Sequence, residues 1–214
     1  MKRILIISGG DFAAKVIRLI NRIGGYVVIG YTDIVDRGSL FEVKHLGTDR
    51  EIPDLIKKHP GLNAVLCIGV ETEHRDKRKV LINDLNKHEL QMPALISPNA
   101  FIEEDVEIGS GSVVFDNTLI DFGVTIGSYS IVNLNATVCH NTEISDDVTL
   151  SPSSVIAGGC KIGSGTFVGI NATINPYINV TAGCVIGSGS VVVKDCLVEG
   201  VYFGNPAKLS KSNK

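Results

Sequence analysis

A six-residue repeat of large aliphatic side chains occupies the second half of the chain. Every sixth residue from Ile102 to Val192 is Ile, Val or Leu, so residues 102–197 form sixteen hexapeptides with no insertion. No ordinary helix or meander sustains such a period. One large aliphatic residue in every six is typical of a parallel β-helix, in which each hexapeptide supplies a short strand and a turn. The repeat therefore predicts that the first residue of each hexapeptide points inward.

Other positions of the hexapeptide carry their own signals. The fourth position is often Gly, Asn or Asp, which tolerate the backbone angles of tight turns. The fifth position holds small residues and includes Cys160, Cys184 and Cys196. If three hexapeptides make one coil, Cys160 and Cys196 lie two coils apart, about 9–10 Å at β spacing, which is too far for a disulfide. We expect inward-facing thiols and, without a Cys-x-x-Cys pair, no metal–thiolate site.

The first hundred residues alternate between strand-like and helix-like segments. A short apolar run ends at a Ser-Gly-Gly turn, after which Asp11 can cap an amphipathic helix. The predicted strands span residues 3–7, 26–31, 64–68 and 94–96, and the other predicted helices span residues 51–58 and 73–87. This alternation predicts a small parallel sheet covered by helices, which binds ligands at the carboxyl ends of its strands. With a boundary near Pro98, we expect two domains, residues 1–98 and 99–214.

Composition excludes several classes of partner. The net charge is −3 with scattered basic residues, and the hydrophobic content of 44% is ordinary for a globular protein, so no nucleic-acid surface is expected. No 18-residue apolar stretch occurs, so no membrane span is expected. The apolar run near the N-terminus is too short for a signal peptide and fits a first strand better. The expected location is the cytoplasm.

Both halves together resemble the bacterial sugar acetyltransferases of the PglD/NeuD type, which are hexapeptide-repeat acyltransferases. The resemblance covers the α/β half, the uninterrupted repeat and the Gly-Asn-Pro-Ala-Lys ending at residues 204–208. It implies a Rossmann-like nucleotide-sugar-binding domain, a left-handed β-helix and a homotrimer that holds acetyl-CoA between adjacent β-helices. The implied activity is acetyl-CoA-dependent N-acetylation of a UDP-linked amino sugar for surface-glycan or lipopolysaccharide biosynthesis.

Three other functions can be compared with this one. Carbonic anhydrases share the left-handed helix but need three His ligands for zinc; the repeat region contains only His140, so no metal is expected. An O-acetyltransferase of sialic-acid-like nonulosonic acids stays open, because Phe12 also occurs in that branch of the family. A non-catalytic nucleotide-binding scaffold that kept the trimer stays open as well.

His140 is the candidate catalytic base. It is the third residue of its hexapeptide, where an exposed turn histidine with no catalytic role would also fit. It resembles the family's base, which precedes a Ser-Pro pair found here at Ser151-Pro152. A neutral imidazole can accept the proton of the attacking amine or hydroxyl and then protonate the leaving thiolate.

Two further catalytic residues follow from the position of His140. Gly158 lies eighteen residues later, so a coil of three hexapeptides stacks it over His140, and the resemblance implies that its N–H stabilises the oxyanion. Asn141 stands where many relatives have an acid, and an amide there can only orient the imidazole. Glu143 or Asp146 could substitute for that acid.

The remaining site residues are implied by the resemblance. The loop after the first strand, with Asp33 at the end of the second, is the expected nucleotide-sugar site. Because the loop lacks the GxGxxG pattern, NAD is not expected. Acetyl-CoA contacts are implied at Thr149, Gly158, Ile170, Gly187 and Asn205, and nucleotide-sugar contacts at Gly9, Gly10, Asp11, Phe12 and Asp33.

Overall fold

A computed structural model describes residues 1–69, 75–88 and 90–212. The chain divides into two compact units, Met1–Leu95 and Ile96–Lys214. The first unit contains alternating strands and helices, and the second contains the hexapeptides.

The first unit is a three-stranded parallel sheet with order β2-β1-β3. Its helix α1 buries one apolar face on the sheet side, as the sequence pattern predicts. The helix predicted at residues 73–87 begins outside the described residues, and its described part is α3. The elements are β1 (Lys2–Ile7), α1 (Asp11–Ile23), β2 (Tyr26–Thr32), a 3₁₀ turn (Asp49–Glu51), α2 (Ile52–Lys58), β3 (Asn63–Leu66) and α3 (Arg75–Leu85).

Two local expectations for this unit are wrong. Asp11 does not cap α1: the N-cap is Gly10, in an extended conformation, and Asp11 is the first helical residue with no capping side-chain hydrogen bond. A carboxylate in the first turn still suits the positive end of the helix. The predicted strand at residues 94–96 is β4 (Leu95–Ile96), which pairs within a sheet of the hexapeptide region instead of extending the small parallel sheet.

The second unit is a solenoid in which every hexapeptide supplies one two-residue strand. Strands eighteen residues apart pair in parallel, so Val138 is paired with both Ile120 and Ile156. The strands are β5 (Phe101–Ile102), β6 (Glu107–Ile108), β7 (Val113–Val114), β8 (Leu119–Ile120), β9 (Thr125–Ile126), β10 (Ile131–Val132), β11 (Thr137–Val138), β12 (Glu143–Ile144), β13 (Thr149–Leu150), β14 (Val155–Ile156), β15 (Lys161–Ile162), β16 (Phe167–Val168), β17 (Thr173–Ile174), β18 (Asn179–Val180), β19 (Val185–Ile186) and β20 (Val191–Val192).

Because three hexapeptides make one coil, the strands form three faces. Face 1 has the order β21-β19-β16-β13-β10-β7-β4, and the hairpin of β21 (Gly200–Gly204) and β22 (Ala207–Ser212) closes it. Face 2 is β20-β17-β14-β11-β8-β5, and face 3 is β18-β15-β12-β9-β6. Each coil therefore visits all three faces before it returns to the first.

The interior of the solenoid is built from the first and fifth positions of the hexapeptides. First-position residues from Val114 to Val192 are buried, and Ile102 and Ile108 pack against them at the open end. Fifth-position groups are buried too, and the Cys160 thiol donates to the Asn175 carbonyl. All five cysteines are free thiols, and four of them are buried.

Corners of the solenoid adopt one backbone conformation. Every fourth-position residue from Gly111 to Gly189 has a positive φ, including Tyr129 and Tyr177 at 58° and 60°. Left-handed backbone suits Gly and Asn, which explains their frequency at this position. The turn thus constrains which residues can stand directly after the third position.

Replacing Ile156 by Ala tests the core of the solenoid. Its side chain is fully buried, so we expect a loss of about 2–5 kcal/mol in the free energy of unfolding. The outward-facing Thr125→Ala variant should change it by less than about 0.5 kcal/mol. Urea denaturation followed by circular dichroism measures both, and equal effects would contradict an inward-facing first position.

Candidate active site

His140 lies at the corner between faces 2 and 3, in the turn that joins β11 to β12. The eighteen-residue register places Phe122 in the coil before it and Gly158 in the coil after it. The Phe122 ring stacks on the imidazole with centroids 5.5 Å apart and planes inclined by 13°. A Cβ on Gly158 would come within 2.6 Å of His140 Nε2. The imidazole therefore occupies a slot between a phenyl ring and a glycine backbone.

Asn141 limits the rotation of the imidazole within that slot. Its Nδ2 lies 3.3 Å from His140 Nδ1. The backbone φ of Asn141 is 54°, so the residue also makes the corner turn. Its side chain lies over Gly123, where a Cβ would come within 2.5 Å of Oδ1. Gly123 leaves room for the Asn141 side chain, and the left-handed turn at Asn141 directs its amide toward the histidine ring.

Asp121 fixes the backbone on which the slot is built. One carboxylate oxygen accepts the Phe122 N–H at 2.9 Å and the other accepts the His140 N–H at 3.2 Å. The thiol of Cys139 lies nearby, and partial burial together with the Asp121 charge raises the pKa of that thiol. Because the thiol stays protonated, Cys139 is a poor nucleophile.

The Gly158 amide is available to a ligand. No acceptor among the described residues takes its N–H, whereas the next N–H, of Gly159, donates to the His140 carbonyl at 2.9 Å. A fixed and unpaired N–H beside the imidazole Nε2 can stabilise negative charge that develops on a carbonyl oxygen. The predicted position of Gly158 against His140 is thus seen in the structure.

Apart from Gly158, which lies at the His140 corner, the residues implied for acetyl-CoA lie on face 1, at the corner between faces 1 and 2, and in the C-terminal hairpin. Thr149 is 6% exposed, and its hydroxyl has no hydrogen-bond partner among the described residues. Ile170 is exposed and shares its corner with Gly187, against which Phe203 packs. Asn205 lies in the turn of the β21–β22 hairpin. Face 2 separates the Ile170 corner from the His140 corner.

A loop between β1 and α1 forms the base of the other predicted site. A Cβ at Gly9 would come within 2.5 Å of the Tyr31 ring, so only glycine fits there. The Gly9 N–H donates to Asp33 Oδ2 at 2.8 Å. Asp33 also accepts from the Val35 N–H at 3.1 Å and from Arg37 Nε at 3.3 Å. The Asp33 carboxylate therefore anchors the loops on both sides of it.

These contacts determine the charge of Asp33. Burial raises the pKa of the carboxyl, but the hydrogen bonds from Gly9, Val35 and Arg37 outweigh it and hold the pKa below its ordinary value. Asp33 is ionised at neutral pH, with its lone pairs directed to the protein.

A cavity of about 1010 Å³ opens at the carboxyl ends of β1, β2 and β3. It includes four of the five predicted nucleotide-sugar residues, namely Gly10, Asp11, Phe12 and Asp33, while Gly9 lies behind it. The cavity also has a wall that sequence reasoning missed, formed by α3 with Lys77 and by the turn after it with Lys87. Within the described residues Lys77 has no carboxylate partner, whereas Lys87 pairs with Asp84 at 3.1 Å.

Three solved structures resemble this chain over nearly its whole length. A histidine-to-alanine mutant of GDP-perosamine N-acetyltransferase from Caulobacter crescentus, in complex with CoA and GDP-perosamine, is 27% identical with a TM-score of 0.91, covering 99% of this chain and 98% of that one. The acetyltransferase domain of PglB from Neisseria gonorrhoeae FA1090, in complex with acetyl coenzyme A, is 26% identical with a TM-score of 0.90, covering 98% and 99%. WeeI from Acinetobacter baumannii AYE, at 23% identity and a TM-score of 0.82 over 98% and 100%, shares the fold.

Over nearly its whole length the chain is therefore similar to solved acetyltransferases with a left-handed β-helix of hexapeptides. This similarity confirms the resemblance seen in the sequence and the expected order of an α/β unit before the β-helix. No protein-family model matches the chain, and no curated protein matches its sequence.

Two further findings concern what this acetyltransferase could bind. Within residues 1–69, 75–88 and 90–212, no three His, Cys, Asp or Glu side chains come together as metal ligands. Over the same residues, every helix is too short or too polar to cross a bilayer.

Gly158→Ala tests the slot of the acetyltransferase. Its backbone is not left-handed, so alanine fits the turn, but the added methyl must push the imidazole aside. We expect kcat/KM for acetyl transfer to fall by about 100-fold, because a displacement near 1 Å costs that much, with an unchanged Tm. Ser164→Ala, at the third position of the next hexapeptide, is the control. Wild-type turnover by the Gly158 variant would rule out a slot that positions the ring.

Proposed function

We propose that this enzyme transfers the acetyl group of acetyl-CoA to the amino group of a nucleotide-linked amino sugar, with a UDP-linked sugar as the first candidate. The single observation that carries the proposal is the His140 imidazole packed against Gly158, whose N–H has no acceptor among the described residues. A proton acceptor next to an oxyanion donor is what direct acyl transfer requires.

In the proposed reaction the sugar amine attacks the thioester carbon, and His140 accepts the proton that the nitrogen loses. The carbonyl oxygen becomes an oxyanion that accepts the Gly158 N–H. When the C–S bond breaks, the imidazolium gives its proton to the CoA thiolate, so the products are the N-acetyl sugar and CoA. No covalent acyl-enzyme forms, since both substrates are bound together.

Asn141 is the proposed orienting group in this cycle. An Asn side chain rotated by half a turn has the same shape and presents Oδ1 instead of Nδ2. With Oδ1 facing the ring, it accepts the Nδ1–H and leaves the Nε2 lone pair for the substrate. The left-handed turn favours Asn here over most other residues, so one residue serves both the corner and the base.

The donor and acceptor sites are proposed from different parts of the chain. Thr149, Ile170, Gly187 and Asn205 are the proposed acetyl-CoA contacts, and the unpartnered Thr149 hydroxyl supports this assignment. The cavity at the end of the parallel sheet is the proposed nucleotide site, where Lys77 and the α1 N-terminus suit a diphosphate.

A homotrimer is proposed from the surface of face 2. Its outward residues are apolar or β-branched, and two of the largest, Phe101 and Leu119, are 61% and 43% exposed. The outward residues of face 3 are polar and include the ion pair of Lys161 with Glu143 at 2.9 Å. An exposed apolar strip of this kind fits contact between copies of the chain. Surface-glycan biosynthesis in the cytoplasm is the proposed setting.

A GDP-linked amino sugar is the second candidate acceptor. The solved enzyme that binds GDP-perosamine is 27% identical to this chain over nearly its full length. The two candidates share the amine and the diphosphate and differ in the base.

A substrate panel tests the proposed function. Release of the CoA thiol is measured with acetyl-CoA and UDP-4-amino, UDP-3-amino and GDP-4-amino sugars, with a nonulosonic acid as the hydroxyl acceptor. We expect turnover with a nucleotide-linked amino sugar and none with its N-acetylated form. Turnover with the nonulosonic acid and with none of the amino sugars would overturn the proposal in favour of O-acetylation. A lack of turnover with every acceptor of the panel would overturn it in favour of a non-catalytic scaffold.

A further inference from the structure

Phe122 has no part in the mechanism proposed above, although its ring covers one face of the proposed base. We propose that Phe122 is a positioning residue that holds the His140 ring in its slot and stabilises the imidazolium formed during transfer. The inference rests on the proposed role of His140.

The exposure of Phe122 shows that core packing does not account for it. Its side chain is 51% exposed at a solenoid corner. Third-position residues differ along the repeat, since Asp116 and Ser128 are polar whereas Leu134 is apolar. The contact that the structure gives to the Phe122 ring is the near-parallel stack on His140.

Three groups together define the orientation of the imidazole. Phe122 limits the tilt of the imidazole ring on one side, and Gly158 limits it on the other. The Asn141 side chain contacts the ring at Nδ1. The Phe122 carbonyl also accepts the Asn141 N–H at 3.0 Å, so its backbone supports the same corner. Without the phenyl ring, the imidazole is free to tilt away from Gly158.

The phenyl face has an electrostatic effect as well. An aromatic ring presents a negative face, which attracts a cation placed over it. Many enzymes use a carboxylate to stabilise the imidazolium, and the residue next to this histidine is the neutral Asn141. Phe122 supplies part of that stabilisation without a charge.

Few titratable groups face His140 from the neighbouring coils. In the coil before, the Asp121 carboxylate binds the backbone N–H groups of Phe122 and His140. Beside the histidine is Cys139, and in the coil after is Cys160; burial raises the pKa of both thiols, so they are neutral. Among these neighbours, the Asp121 carboxylate and the phenyl face are therefore the electron-rich groups next to His140.

Phe122→Leu keeps an apolar side chain and removes the aromatic face. We expect kcat for acetyl transfer to fall about tenfold with KM nearly unchanged, because misplacement of a reacting group costs rate. A less stable imidazolium releases its proton more readily, so the acid limb of the kcat/KM profile should move to lower pH by about half a unit. Phe122→Tyr and Phe122→Trp should restore both values.

The control is Phe41→Leu, the same substitution at an exposed phenylalanine of the other unit, whose ring faces the Arg18 guanidinium. It should leave kcat and the pH profile unchanged. A wild-type pH profile for Phe122→Leu, or no rescue by Phe122→Tyr, would overturn the inference.

An NMR titration separates this inference from the proposed function. The His140 ring signals of the substrate-free protein are followed against pH in wild type and Phe122→Leu. We expect the midpoint of the variant to be lower by about half a unit. An unmoved midpoint would overturn the inference and leave the proposed base standing, whereas full activity of a His140→Ala variant would overturn the proposed base and, with it, the role of Phe122 in transfer.

Discussion

Parallel hydrogen bonding between coils at a constant offset of eighteen residues is the constraint on which the rest of the β-helix depends. Strands of two residues cannot stand alone, so each is held by its equivalents in the coils before and after, as Val138 is held by Ile120 and Ile156. An insertion of one residue would change the offset to nineteen for the pairs that span it. The same offset stacks equivalent corner positions, which brings Phe122, His140 and Gly158 together although they are far apart in sequence.

The corner imposes a second constraint, because the residue after each third position must adopt a left-handed backbone. Asn141 satisfies that requirement and reaches the His140 ring at the same time. The acetyltransferase site is thus formed from ordinary features of the solenoid: a stack, a glycine and a turn. The first unit follows different physics, since its loops are tied by the buried and ionised Asp33 carboxylate.

Periodicity made the β-helix and the position of Gly158 predictable from sequence, because both depend only on counting residues. The same count would also have placed Phe122 below His140, but it carries no information on whether two rings stack. The hydrogen bonds from Gly9, Val35 and Arg37 to Asp33 depend on the conformation of two loops. No sequence repeat predicts that conformation. Asp11 was wrongly expected to cap α1 because Gly10 and Asp11 both suit the helix start, and backbone geometry decided between them. The α3 wall with Lys77 was missed because tertiary packing brings it to the cavity.

The central claim is that the slot holds His140 as the base for acetyl transfer. Its most direct test is kcat/KM of His140→Ala against wild type, with acetyl-CoA and the acceptor that turns over fastest. We expect a fall of about 10²–10⁴-fold at an unchanged Tm, since His140 is half-exposed and outside the core. Near-normal turnover by the variant would contradict it.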